Sequence, residues 1–186
     1  MIITDNEEAL RVKCDDVTPE EVGELVVFLE QELEHSAKLG RPGIGLAAIQ
    51  VGVPKKIAIV RMGKGYSFDL VNAKIEHGYD QARFLGEGCL SFPGRIEDTL
   101  RYQEVHITGN ITYPSGMILE GLPAVVAQHE IDHYSNILLP DIALPKLKQK
   151  KPGPNDPCIC GKINIMTGKA IKYKKCCMNK EKENGR

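Results

Sequence analysis

The chain has no tryptophan, and aromatic residues make up only 5% of its 186 residues. Its core must therefore be built from aliphatic side chains. No window approaches the ~20 consecutive apolar residues that a membrane span requires. The first residues, Met1-Ile2-Ile3-Thr4-Asp5-Asn6-Glu7-Glu8, contain no basic region and no long apolar stretch, so they read as neither a secretory signal nor a transit peptide. There is no internal repeat and no Cys-x-x-Cys pair. These absences argue against membrane proteins, secreted disulfide scaffolds and dithiol redox proteins. They predict a soluble, cytoplasmic protein with no membrane partner. The six cysteines agree: four of them fall at Cys158, Cys160, Cys176 and Cys177, a metal-type cluster rather than a dispersed disulfide framework.

Apolar content of 42% and charged content of 26% are ordinary for a globular chain. The net charge of -1 hides a division. Residues 146–186 carry 12 Lys+Arg against 3 Asp+Glu, whereas residues 1–145 carry 12 against 22. An acidic body bears a basic tail, which suits either a solvated end or an anionic partner such as RNA.

Thr18-Pro19-Glu20-Glu21 is a helix start, with Thr18 as cap, Pro19 in the first turn and Glu21 completing a capping box. Val22, Leu25, Val26, Leu29 and Leu33 follow at helical spacing, and Gly40 favours a stop, which predicts about twenty helical residues. Residues 56–60, 68–71 and 104–108 are short β-prone runs between Gly and Pro turns, and 110–113 reads as a strand entering a turn at Pro114-Ser115-Gly116. A second helix is expected from near Pro123 through His133, with Leu122, Val125, Val126 and Ile137 supporting burial. The class is α+β: mixed or antiparallel sheets around a buried helix, with a small C-terminal appendage. The expected division is a catalytic domain 1–147, a Lys/Pro/Gly linker 148–157, a four-cysteine module 158–178 and a charged end 179–186.

Gln128-His129-Glu130-Ile131-Asp132-His133 carries the chemistry. Histidines four apart on a helix point the same way, so both imidazoles can grip one ion, and Glu130 beside them can handle the proton of an attacking water. A buried helix with five such polar groups in six positions is costly unless they have strong partners, and a divalent ion is one. Cys89, in Glu87-Gly88-Cys89-Leu90-Ser91, could be an inert core thiol, a nucleophile or a third ligand. Two histidines on one face make a chelate rather than a nucleophile-base pair, and a thiolate with two imidazoles leaves one coordination position open. Gly43-Ile44-Gly45-Leu46-Ala47-Ala48-Ile49-Gln50 permits close backbone approach and then offers the Gln50 amide; tight packing of a helix or loop is the plainer reading.

The three runs, in this order, resemble the peptide deformylase family, and each is present in full. Val51-Gly52-Val53-Pro54, Val71-Asn72 and Phe92-Pro93-Gly94 extend the likeness, which covers about residues 1–147. The resemblance implies removal of the formyl group from the N-terminal methionine of nascent polypeptides. It implies Cys89, His129 and His133 as metal ligands, Glu130 as general acid-base, and the Gln50 side chain with the Leu90 backbone N–H as oxyanion donors. It implies ferrous iron (Fe2+), where ligand type alone would equally suit Zn2+, Ni2+ or Co2+. Substrate would meet Gly43, Ile44, Gly45, Glu87, Gly88, Leu122, Val125 and Val126, with Leu85 also a candidate. A Glu87–Arg101 pair could steady the Cys89 segment. Two departures stand out. Tyr134-Ser135-Asn136 replaces the family's Leu-x-Gly, although Asn can adopt the left-handed conformation. Arg95 follows Pro93-Gly94 directly, where it could meet the peptide. A zinc peptidase, or a non-catalytic body whose tail binds ribosome or RNA, is the alternative; the Glu-Gly-Cys-Leu-Ser run and intact Glu130 and Gln50 argue against both.

Asn155-Asp156-Pro157-Cys158-x-Cys160-Gly161 and Lys172-Tyr173-Lys174-Lys175-Cys176-Cys177 resemble the two halves of the SEC-C motif, a small zinc-binding module. Four thiolates suffice for a closed Zn2+ site. The separation of Cys160 from Cys176 is longer than in that motif, so an inserted hairpin is expected between them.

Overall fold

The computed structural model describes residues 1–63, 66–145, 154–155 and 172–175. The chain divides into two units, Met1–Lys146 and Leu147–Arg186. In the second unit, Tyr173–Lys175 form a single 3-10 turn. The four tail cysteines expected to bind zinc lie outside the described residues.

The first unit contains helices α1 (Glu7–Leu10), α2 (Pro19–Lys38) and α3 (Leu122–Tyr134) and strands β1 (Gly45–Ala47), β2 (Ile57–Arg61), β3 (Ser67–Val71), β4 (Lys74–Gly88), β5 (Ile96–Thr108) and β6 (Met117–Glu120). The strands form two three-stranded sheets, β1-β2-β3 and β4-β5-β6, and every pairing is antiparallel.

Helix α2 starts as its sequence demands. The Thr18 backbone N–H donates to Glu21 Oε2 at 2.8 Å, satisfying one of the donors a helix start leaves without a partner. Beyond its end, Gly40 takes a φ of 79°. Leu29 and Leu33 are buried; Val22, Leu25 and Val26 are partly buried.

Strand β2 shows how the first unit is layered. Ile57 and Ile59 point to one face and join Leu29, Leu33, Leu46 and Val71 under α2. Ala58 and Val60 point to the other and join Ala124, Val126, Ala127 and Ile131 of α3. Helix α3 is thus enclosed, which is why a residue such as Ala127 is fully buried. Each large aliphatic side chain removed from water here contributes about 1.5–3 kcal/mol.

Two expectations are corrected. Residues 110–113 form a turn, not a strand. Asn110 is buried, its Oδ1 accepts from the Val71 N–H (3.1 Å) and the Thr112 hydroxyl (2.8 Å), and its Nδ2 donates to the Asp69 carbonyl (2.9 Å). Side-chain bonds of this kind compete with a strand ladder, and the strand begins only at Met117. Leu122 and Ile137 do not support burial: they are 46% and 38% exposed. Ile137 lies past the end of α3, while the apolar contacts come from Ala124, Val126, Ala127 and Ile131.

Candidate active site

The 3.6-residue period of α3 brings His129 and His133 together edge to face, with ring centroids 4.9 Å apart and planes inclined at 78°. Cys89 follows the end of β4, and its Sγ lies 3.4 Å from His133 Nε2. One ligand atom from each of Cys89, His129 and His133 can be chosen so that all three lie within 4.8 Å of one another.

The support for this cluster is a chain of charged hydrogen bonds. His129 Nδ1 donates to Glu87 Oε1 at 2.6 Å, which leaves Nε2 for the cluster. Glu87 also accepts from Arg101 through both carboxylate oxygens (2.5 and 2.9 Å) and from the Thr99 hydroxyl at 2.6 Å. Arg101 Nη1 donates to Asp132 Oδ2 at 2.5 Å. The expected Glu87–Arg101 pair is therefore present; Thr99 is an addition that no local pattern announced, and Asp132, part of the Gln128–His133 run, gains Arg101 as its partner. Burial would raise the Glu87 pKa, but the bonds from His129 and Arg101 outweigh it and hold the carboxyl well below the usual carboxylate range.

Glu130 is different. It is buried, and its Oε2 has no hydrogen-bond partner among the described residues. Burial, opposed by His129, pushes its pKa up to about 7. His133 Nδ1 is likewise unpartnered, and burial pulls its pKa well below the usual histidine value. Gly45 of β1 lies against Glu130: a Cβ there would sit 2.9 Å from Glu130 Cδ.

Gln50 closes another side. Its Oε1 accepts from the Ala47 N–H at 2.9 Å, which orients the amide. Nε2 then donates to Ser91 Oγ at 3.1 Å and faces Cys89 Sγ at 3.6 Å. The N-terminal segment ties both elements together, with the Ile3 N–H donating to the Gln50 carbonyl and the Asp5 N–H to the Ser91 carbonyl.

A cavity of about 480 Å³ opens beside the cluster. Cys89, His129, Glu130, Gln50 and Leu90 all line it. So do Gly43, Ile44, Gly45, Glu87, Gly88, Leu122 and Val126 from the expected substrate wall. Val125 is buried and is not part of that wall, and Leu85 is 65% exposed outside it. Sequence reasoning missed Arg41, Pro42, Phe84 and Ile96, which also line the cavity. Arg41 and Pro42 directly precede the Gly43–Gln50 run, a position that could have suggested them; Phe84 and Ile96 arrive through the β4–β5 pairing.

A thiol, two imidazoles and a buried unpartnered carboxylate oxygen next to an open cavity fit a divalent ion with an open coordination position. A family model described as polypeptide deformylase matches residues 1–149. The chain belongs to this family. It is 42% identical to peptide deformylase 2 of Geobacillus stearothermophilus over 128 residues, spanning 62% of this chain and 68% of that one. It is 38% identical to the peptide deformylase of Helicobacter pylori strain G27 over 135 residues, 66% and 76% of the two chains. Solved deformylases share the fold: that of Thermotoga maritima (TM-score 0.65, 29% identity, 78% of this chain and 97% of that one) and Arabidopsis thaliana deformylase 1B (TM-score 0.66, 32% identity, 77% and 81%). Membership makes the chain a metal-dependent hydrolase, and no described helix is long and apolar enough to cross a membrane.

Proposed function

We propose that the chain removes the N-formyl group from the initiator methionine of nascent polypeptides in the cytoplasm, giving formate and a free amino terminus. The observation that carries the reading is the convergence of Cys89, His129 and His133, with the unpartnered Glu130 carboxylate beside them. Those three residues would hold the ion, ferrous iron by preference with Zn2+, Ni2+ or Co2+ as substitutes. When bound, it would supply a Lewis acid that polarises the formyl carbonyl and acidifies water.

The remaining work belongs to the protein. Glu130 takes a proton from the attacking water and returns it to the departing amine nitrogen as the C–N bond breaks, and a carboxyl poised near neutrality can do both. Gln50 Nε2, oriented by the Ala47 contact, donates to the oxygen on which negative charge develops, joined by the Leu90 backbone N–H. Glu87 keeps His129 in the tautomer that presents Nε2. Ile44, Leu122 and Val126 provide apolar wall for the methionine side chain.

The test is formate release from formyl-Met-Ala-Ser by anaerobically purified protein, with metal analysis of the same sample. Glu130→Gln should keep the metal and lose turnover; a variant as active as the parent overturns the assignment.

The tail supports a second part of the proposal. Clustering of Cys158, Cys160, Cys176 and Cys177 among lysines suits a zinc site with affinity for ribosomal RNA. Removing residues 148–186 should release one zinc and weaken ribosome cosedimentation most at low salt. Unchanged zinc and sedimentation would sink it.

A further inference from the structure

The body of this protein is acidic, with 12 Lys+Arg against 22 Asp+Glu over residues 1–145. Its arginines are accordingly drawn into ion pairs. Arg11 meets Glu7 and Asp141, Arg61 meets Glu30 and Asp69, Arg83 meets Asp98, and Arg101 meets Glu87 and Asp132. Arg95 meets Glu97 through Nε at 2.7 Å. Among the described residues, only Arg41 of these six has no carboxylate partner. Arg41 and Arg95 are also the two arginines that line the cavity.

The backbone beneath each is fixed. The Arg41 N–H donates to the Ser36 carbonyl at 3.0 Å, and the buried Ser36 hydroxyl donates to the Arg41 carbonyl at 2.7 Å. Arg95 closes a turn in which its N–H donates to the Phe92 carbonyl at 3.1 Å. Pro93 and Gly94, the latter at φ 77°, occupy the corner positions. The two carry their charge on different segments, Arg41–Gly45 and Cys89–Ile96, which meet where Gly43 lies against the Leu90 side chain. The cavity's two acidic residues, Glu87 and Glu130, are buried. Its accessible charged groups are therefore cationic.

We propose that Arg41, assisted by Arg95, selects nascent chains with an acidic side chain in the first residues after formyl-methionine. This rests on the deformylase reading of the same site. The guanidinium of Arg41, without a carboxylate partner on its anchored backbone, attracts a carboxylate and repels an ammonium. Arg95 adds to this although Glu97 already shares its charge, and in an otherwise acidic body the two single out this rim.

The experiment compares formyl-Met-Ala-Glu, formyl-Met-Ala-Gln and formyl-Met-Ala-Lys, with a parallel series varied directly after methionine. All peptides are amidated at the C-terminus so that the chain end supplies no carboxylate. The expected kcat/KM ratio of Glu to Lys is roughly tenfold, an attraction and a repulsion each near the upper end of exposed ion pairs. It should reside mainly in KM and shrink at 0.5 M salt, where screening acts within about 3–5 Å. The double variant Arg41→Gln, Arg95→Gln should bring the ratio to within twofold of one, while Lys13→Gln, remote from the cavity, keeps it. Turnover of the Gln peptide with no Glu-over-Lys preference overturns the inference, as does a preference that survives the double variant. No turnover of any peptide by metal-loaded protein overturns the deformylase reading itself.

Discussion

Gly45→Ala isolates Glu130 from the metal ligands. A Cβ built on Gly45 would lie 2.9 Å from Glu130 Cδ and 3.2 Å from Cγ, and closer still to Oε1; these are its three nearest contacts, and all belong to Glu130. Carbon contacts relax at about 3.5–4.0 Å, so the carboxyl must withdraw by roughly 0.5–1 Å. The backbone of Gly45 lies outside the left-handed region, so alanine strains nothing there. A substitution of that kind gains about 0.4–1 kcal/mol from the unfolded chain, which offsets part of the repacking. Stability should therefore change little.

Catalysis should change a great deal. A misplacement of ~1 Å at a reacting group costs about 100-fold, or ~2.7 kcal/mol in the barrier. The expected result is kcat on formyl-Met-Ala-Ser down about 100-fold, a smaller change in KM, a melting temperature within a few degrees of the parent, and full metal content. A kcat within threefold of the parent at full metal content would refute the placement of Glu130 as the proton-handling group. Loss of the metal would refute the separation of base from ligands on which the reasoning depends.

Other perturbations probe the support. Glu87→Gln weakens the acceptor that orients His129 and should lower metal affinity about 10–100-fold in a competition titration. Because the Glu87 pKa is held below its ordinary value, its stabilising contribution is complete above about pH 4.5 and is lost as pH falls through the folded-state value; acid melts of parent and Glu87→Gln should converge below that range. Asn136 sits at φ 63°, so Asn136→Val should lose about 1–2 kcal/mol in urea unfolding, and Asn136→Gly less. Leu29→Ala, in the fully buried contact between α2 and the first sheet, should lose about 2–5 kcal/mol with kcat preserved.

Where local chemistry decides structure, the sequence was readable. The capping box and apolar spacing placed α2 at Pro19–Lys38, and the spacing of His129 and His133 placed both imidazoles on one face of α3. Asn136, read as able to replace a left-handed glycine, does so. The β4–β5 ribbon was less readable because much of β4 is exposed and carries no clean alternation of apolar and polar residues. Its partners were legible only near 104–108, where Val105 and Ile107 turn into the core. The site followed the same rule. Residues within one run were found, whereas Thr99, Phe84 and Ile96 reach the site through the β4–β5 pairing of distant segments, which no spacing encodes.

The polar groups in and around α3 divide into two sets, and the division explains how a buried helix tolerates them. Gln128 is satisfied within the protein, donating to the Ala124 and Tyr102 carbonyls and accepting from the Tyr102 N–H. Glu87, Arg101, Thr99 and Asp132 satisfy one another, and their charges lie within hydrogen-bonding distance. Breaking one member of such a buried set costs about 3–5 kcal/mol, so the set is rigid and can hold His129 in place. Glu130 and His133 form the other set, each with a buried polar atom that nothing among the described residues satisfies. Leaving such an atom without a partner costs about 1–3 kcal/mol, a cost expected only where a ligand or water completes the bond. Rigidity is thus concentrated where the protein must position, and Glu130, which lines the cavity, keeps unsatisfied bonding capacity where a substrate must react.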